Sequence, residues 1–394
     1  MLALTAEVLV IGGGATGTGV ARDAAMRGLA VILVEQGELA SGTTGRFHGQ
    51  LHSGARYAVR DPDSARECVR EAAVLRRIAA GCIEETGGAF LLLPGDDPGY
   101  PDRFVAGCRA AGVAVEELDV AGLLAREPAL SPAVLRAFSV PDGSLDSRDL
   151  VAACARSAED HGARVLTGHR VTGLLRSSGG VAGAVVVEER TGEERTIHAD
   201  IVVNAAGAWA GQVAALGGCS VPARLSRGVM VAVDRRIANT VVSRCRMPAD
   251  GDILVPLRAE LVVGTTDATV EDPGDAGADP ESVRRMTACG EELAPGFSRA
   301  GRLRAWAAVR PLVDDEPAGG SASGQAGSRG VSRSHRLFDH AERDGVGRFL
   351  TITGGKATTF RLMAEETVDA VCTALGRPVP CRTHLEALPD PETG

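Results

Sequence analysis

The first forty residues leave this chain little choice of fold. Val8, Leu9, Val10 and Ile11 form an apolar, mostly β-branched run that breaks into Gly12, Gly13 and Gly14. After Gly17 the stretch reads as a helix that stops at Gly28. Gly12, Gly14 and Gly17 satisfy G-x-G-x-x-G between a strand and a helix. In that context the first glycine permits a tight turn, the second lets a diphosphate approach the backbone, and the third lets helix and strand pack closely. Together with Ala15 and Thr16, the turn would offer backbone N–H groups at a helix start, where the peptide dipoles favour negative charge. A second apolar strand, Val31 to Val34, runs into Glu35 and Gln36, about 20 residues on, where an acid takes the ribose hydroxyls of a dinucleotide. Strand, helix, strand and acid in order predict dinucleotide binding, without separating FAD from NAD.

Composition removes several other functions. With a net charge of −9 and aromatics at 3%, neither a phosphate-backbone partner nor stacked nucleic-acid bases are supported. The nine cysteines are odd in number, scattered, and never in C-x-x-C, so no iron–sulfur or zinc site is indicated and a reduced, cytoplasmic chain is expected. No leader-type segment is expected, because the first apolar run reads as a strand of the nucleotide fold, and no apolar run approaches the ~20 residues needed to span a bilayer. Among 42 basic residues, Lys356 is the only lysine, so most arginines read as solvated surface.

Further along, residues 40–46 are small and hydroxylic. Ser41, Thr43 and Thr44 can lie against a flat cofactor. The stretch 47–57 then packs His48, Gly49, His52, Arg56 and Tyr57 together. Residues 61–80 read as an amphipathic helix, and 86–140 as short strands and helices broken by prolines. A helix over 149–162 precedes strands at 164–166 and 182–187, with a hairpin-type turn at 177–180. Val171 falls in that region. Another buried strand, 199–204, ends in Ala205, Ala206, Gly207 and Trp209, small enough for close backbone approach to a flat ligand. From 221 to 308 the strands alternate as in an antiparallel sheet. Residues 271–280 and 317–330 read as loops, the latter mobile by its Gly/Ser/Ala composition. Finally, a strand over 349–353 breaks at Gly354 and Gly355, followed by Lys356, Ala357, Thr358 and a helix to 375. This second helix start would stabilise negative charge developing on a reduced flavin.

In this order, the residues at 11–19, 45–48, 52–57, 253–256, 264–266, 309–312, 339–345 and 353–356 resemble the FAD-dependent glycerol-3-phosphate dehydrogenases of the D-amino-acid-oxidase-like superfamily. The resemblance covers essentially the whole chain and is nearest to the catalytic subunit of the anaerobic enzyme. It implies FAD rather than NAD. It also implies an α/β fold in which a Rossmann-type FAD-binding domain (1–85, 145–215 and 340–385) is interleaved with an antiparallel α+β substrate domain (86–144 and 216–339), leaving a tail at 386–394.

The same resemblance implies oxidation of glycerol 3-phosphate to dihydroxyacetone phosphate, with a hydride leaving C2 for flavin N5. Arg56, Arg310 and Lys356 stand where such relatives hold the substrate, with Tyr57 beside them and Arg333 as a weaker phosphate candidate. A dianion calls for permanent cations with bidentate geometry. The base is expected at His52, with His48 second, while Arg310 and Lys356 act on the developing carbonyl. Arg310, Lys356 and His48 are also expected to touch the flavin. Electrons would pass to quinone or to partner subunits, with only peripheral membrane attachment, at the cytoplasmic face, and with homo-oligomers allowed. Two departures stand out. Arg227–Gly228–Val229–Met230 replaces a Lys-Gly-Ser that relatives often carry, sometimes followed by histidine. The cysteine-rich C-terminal domain usual in the anaerobic enzyme does not follow before Gly394, which reads as a shortened chain or a version without its own iron–sulfur relay. The alternatives are a related 2-hydroxy-acid or amino-acid enzyme, and a flavoprotein that only carries electrons or binds a partner.

Overall fold

A computed structural model describes residues 4–313 and 334–391. The opening apolar run becomes the strand Leu4–Ile11, and the glycines deliver the chain into the helix Ala15–Met26. The helix thus begins within the glycine motif, two residues before Gly17. The strand lies parallel between Val31–Val34 and Glu194–Asn204, with all four residues of Val31–Val34 buried. Arg164–Leu166 adds in parallel outside Val31–Val34. On the other side, the long strand Glu194–Asn204 gives its first half to an antiparallel hairpin and its second half to the parallel strand Phe349–Gly354. Helices Ala15–Met26 and Phe360–Ala374 cover one face of this eight-stranded sheet, packing Val20, Ala24, Met363 and Val368 against Val8, Val10 and Val203.

The hairpin differs from expectation. Its turn at 177–180 joins His169–Ser177 to Gly180–Glu188, not the 164–166 strand to the next one. No residue of His169–Ser177 is fully buried, so its sequence lacks the apolar alternation that marks a half-buried strand. A second difference lies at the boundary set at 339/340. His335–Asp339 pairs with Phe349–Gly354, and so belongs to this first sheet.

Among the described residues the second sheet has nine strands, with the long antiparallel pair Ala223–Val233 and Leu303–Val313 toward one end. Ile253–Leu257 and Glu260–Gly264 extend it antiparallel. It is mixed rather than wholly antiparallel, because Val241–Arg244 runs parallel to Gly88–Leu92 where the two expected substrate segments meet. The helix Pro280–Leu293, which falls inside the stretch read as strands, packs Met286 and Leu293 under this sheet. Its start is signalled by Asp279, whose carboxylate accepts from Ser282 N–H. Residues 386–391 are anchored to the first segment: Leu388 N–H donates to Ile78, and Arg22 donates to the Glu386 carbonyl.

Candidate active site

The glycine turn is tight. Gly12 sits at φ +114°, and a Cβ there would lie 2.5 Å from the Ala205 carbonyl oxygen; at Gly17 it would lie 1.8 Å from the Gly12 oxygen. Glu35 closes the turn. One carboxylate oxygen accepts from Gly13 N–H at 2.7 Å, and the other from Gly37 N–H at 2.9 Å and Ser41 Oγ at 3.1 Å. A carboxylate has about four lone-pair sites, so room remains for a ribose hydroxyl. Gly14 caps the helix with no side-chain hydrogen bond, leaving an N-terminus suited to a diphosphate. Only Thr44 leans in, its Oγ1 accepting from Ala15 N–H at 3.2 Å.

A cavity of about 370 Å³ opens on this turn. Gly12, Gly14, Ala15, Thr16, Glu35 and Gln36 form one side of it. Ser41, Thr43 and Thr44 form another, and Val171, Ala205, Ala206, Gly207 and Trp209 also stand in its wall. The 205–207 bend is held from beneath: Asn204 Nδ2 donates to Ala210 O at 2.8 Å and to Thr351 Oγ1 at 3.1 Å, while its Oδ1 accepts from Ala206 N–H at 3.2 Å. Thr351 in turn meets His340 Nε2 at 2.8 Å, and His340 Nδ1 meets Asp344 at 2.5 Å. Cys219 lies nearby, but that His–Asp separation is a hydrogen bond, shorter than the spacing of two ligands on one metal ion.

Ala15, Thr16, Thr43, Thr44 and Gly207 also line a second cavity of about 670 Å³, so the two spaces adjoin along a shared wall. The second one gathers the basic residues. Arg56, Arg310 and Lys356 all reach its wall, with His48, His52, Tyr57, Gly354, Gly355 and Ala357. Gly354 and Gly355 take φ of +84° and +74°, the left-handed region that glycine tolerates. Lys356 Nζ donates to Ser64 Oγ at 3.1 Å, lies 3.8 Å from Glu67 and stands 5.3 Å over the Tyr57 ring. Arg56 lies 3.5 Å from Asp252, whose side chain is wholly buried. Arg310 donates to Thr265 Oγ1, Ser226 Oγ and the Thr266 carbonyl.

The two histidines differ. His48 Nδ1 accepts from Gln50 N–H at 3.2 Å, which leaves the ring proton on Nε2. Burial, reinforced by the Arg56 and Arg310 charges, pushes its pKa down to about 3. His52 is fixed through its backbone, which donates to Thr358 Oγ1 at 3.1 Å, and its ring sits edge-on to Tyr57 at 5.2 Å.

Three expected site residues stand behind the walls. Gly17 is in the helix–strand contact. Gly49, at φ +86°, packs on Leu257, and Thr358 is spent on His52. Arg333 and the loop 317–330 lie outside the described residues. Arg227 faces Asp275 at 2.8 Å and Asp279 at 3.5 Å, while its neighbours Gly228 and Met230 line the cavity. Sequence reasoning missed Gln50 and Asp142. Asp142 accepts from Gln50 Nε2 and Ser53 N–H, tying the histidine segment to the 143–145 strand. Burial raises its carboxyl pKa, opposed by those hydrogen bonds. No local motif marks Asp142, because its partners are about 90 residues away in the chain.

A cradle in which a Cβ at Gly12 has no room, a helix start without a cap from Gly14, an acid on the turn and a second glycine turn on the wall of the adjoining cavity fit FAD. The described residues contain no helix long and apolar enough to cross a membrane. The family model for FAD dependent oxidoreductases matches residues 7–359. The anaerobic glycerol-3-phosphate dehydrogenase A subunit of Escherichia coli K12 is 46% identical over 389 residues, covering 98% of this chain and 70% of that one. Its counterpart in Haemophilus influenzae is 42% identical over 390 residues, covering 98% and 68%. The FAD complex of glycerol-3-phosphate dehydrogenase from Bacillus halodurans superimposes with a TM-score of 0.75 at 25% identity, over 98% of this chain and 68% of that one. L-alpha-glycerophosphate oxidase from Mycoplasma pneumoniae, at 18% identity, shares the fold with a TM-score of 0.78 over 98% and 99%. From the glycine turn to the closing helix, this chain belongs to the FAD dependent oxidoreductase family and, within it, to the group of anaerobic glycerol-3-phosphate dehydrogenase A subunits.

Proposed function

We propose that the chain oxidises sn-glycerol 3-phosphate to dihydroxyacetone phosphate. The observation that carries this reading is the convergence of Arg56, Arg310 and the sole lysine, Lys356, on the cavity adjoining the cofactor cradle. Two guanidinium groups and an ammonium suit a phosphate dianion, for which planar forks and point charges together give both affinity and orientation. FAD, when bound, supplies the two-electron acceptor. The chain's residues bind, orient and move a proton.

Arg56 and Arg310 hold the phosphate, and Tyr57 packs beside it. Lys356, set between Ser64, Glu67 and the Tyr57 ring, points its ammonium at the C2 oxygen and stabilises the charge that develops there. His52 takes the proton of the C2 hydroxyl. The preference for His52 over His48 is physical: a ring whose pKa lies at about 3 is a poor proton acceptor at neutral pH, whereas its Nε2–H is a ready donor. His48 therefore orients ligand oxygens by donation. Electrons leave to a quinone or a partner protein of the same assembly, and attachment to the cytoplasmic face of the membrane is through such partners.

The test is an anaerobic titration of the purified holoenzyme. Glycerol 3-phosphate should bleach the flavin absorbance rapidly, while glycerol should do so only slowly and simple 2-hydroxy or amino acids should not. A flavin that stays oxidised at saturating glycerol 3-phosphate sinks the proposal.

A further inference from the structure

What aims the Arg310 guanidinium lies behind it, away from the cavity. The antiparallel pairing of Ala223–Val233 with Leu303–Val313 sets Arg310 directly opposite Ser226. Ser226 is fully buried. Its hydroxyl accepts from Arg310 Nη2 at 2.8 Å and donates to Asp267 Oδ1 at 2.6 Å. The same carboxylate oxygen lies 3.6 Å from Nη2, and the Asp267 side chain is only 4% exposed. The Thr266 carbonyl and Thr265 Oγ1 take two further Arg310 N–H bonds, each at 3.0 Å. Gly228 leaves the space for this arrangement, since a Cβ there would stand 3.1 Å from Nη2. Neither Ser226 nor Asp267 lines the cavity, so neither touches what it holds.

A hydroxyl beside both a guanidinium and a carboxylate has its proton direction set. It must donate to the carboxylate and can only accept from the arginine. We infer that Asp267, acting through Ser226, is a positioning residue that orients Arg310 toward the substrate phosphate. This rests on the substrate reading above and deepens it: discrimination for a phosphorylated substrate depends on two residues outside the binding cavity.

Charge and orientation make opposite predictions here, which is what makes the assignment testable. By Coulomb's law a buried negative charge behind the site repels a dianion, so its removal in Asp267→Asn should tighten binding if charge is all it contributes. If Asp267 positions Arg310, the same variant should bind more weakly, because the fork is no longer held in register. Ser226→Ala breaks the relay without altering charge and should weaken binding too.

The experiment uses oxidised holoenzyme, titrated with dihydroxyacetone phosphate and followed by the flavin absorbance perturbation. Steady-state rates with glycerol 3-phosphate, FAD content and melting temperature are measured alongside. Each variant should raise the product Kd and the KM about tenfold, the scale of one charge-assisted hydrogen bond, with a smaller change in kcat and unaltered FAD content. In an Arg310→Ala background, neither substitution should have any further effect. Tighter or unchanged binding in Asp267→Asn, or the same loss with and without Arg310, overturns the assignment. Should Asp267→Asn fail to fold, Ser226→Ala decides by the same criteria. Wild-type flavin left oxidised by glycerol 3-phosphate sinks the substrate reading and this inference with it; wild-type reduction with an unaffected variant sinks the inference alone.

Discussion

At the scale of single residues, Arg310 and His48 show how one side chain's surroundings decide what it can do. Arg310 is a surface-type residue drawn inward by three acceptors, and its charge serves only a ligand that needs it. Arg310→Ala should therefore lower kcat/KM for glycerol 3-phosphate by about 10- to 100-fold, the range of a charged hydrogen bond, and leave the slow oxidation of glycerol nearly unchanged. Equal losses for both substrates would remove its assigned role. His48 makes a prediction about pH. Its folded pKa of about 3 lies below the unfolded value, so between the two the unfolded chain binds a proton that the folded chain does not. The stabilisation is complete above about pH 6.5 and is lost as pH falls toward the folded value, with a slope of up to about 1.4 kcal/mol per pH unit from this group. Urea unfolding of His48→Gln should show a flatter decline over that acid window; parallel declines would contradict the burial argument. Residues of this kind were legible when a local pattern carried them. Lys356 stood out as the only lysine, and Arg56 sat in a run with His52 and Tyr57. Asp142, Ser226 and Asp267 were not legible, because an isolated Asp or Ser gains its meaning only from a strand or loop far off in the chain.

Secondary-structure elements carry the next level, and here the closing helix matters most. Phe360–Ala374 follows the second glycine turn and is fastened to Pro62–Ile78 by a forked ion pair, Arg361 to Glu71, at 2.8 and 2.6 Å. Both side chains are only 6% exposed. A buried pair adds little over well-packed apolar residues, but losing one partner leaves buried hydrogen-bond donors of the other unsatisfied. Glu71→Gln keeps the shape and leaves Arg361 its ion pair with Glu365 on its own helix, at 2.5 Å, so it should cost about 1–3 kcal/mol in urea unfolding of the holoenzyme. A cost below about 1 kcal/mol would mean the pair behaves as a surface bridge. Most elements on this side could be read in advance, because buried parallel strands such as Val31–Val34 are continuous apolar runs. His169–Ser177 escaped notice because neither of its faces is buried. Pro280–Leu293 escaped because it buries only Met286, Gly290 and Leu293, too narrow a stripe to stand out inside a stretch already assigned to strands.

For the whole molecule, the two glycine turns lie near opposite ends of the sequence and open into two adjoining cavities. Strand order explains this: Leu4–Ile11 and Phe349–Gly354 both pair in parallel with Glu194–Asn204, so the turns at their C-terminal ends emerge on one edge of one sheet. A ligand long enough to reach from Gly14 to Lys356 therefore ties the first and last segments of the chain together, while the second sheet supplies Arg310 from above. FAD binding should then protect backbone amides of both turns from hydrogen exchange, at 13–17 and again at 355–360, because local opening of either end must break ligand contacts. ADP carries the diphosphate without the flavin ring. At matched saturation it should protect the first turn and leave the second exchanging as in the cofactor-free protein. Removal of FAD should lower the unfolding free energy by RT ln(1 + [L]/Kd), about 2.7 kcal/mol relative to free FAD at 100 times its Kd, and re-addition should restore it. Equal protection of 355–360 by ADP and by FAD would show that the flavin end does not reach the second turn, and the adjacency of the two cavities would then have no part in holding the cofactor.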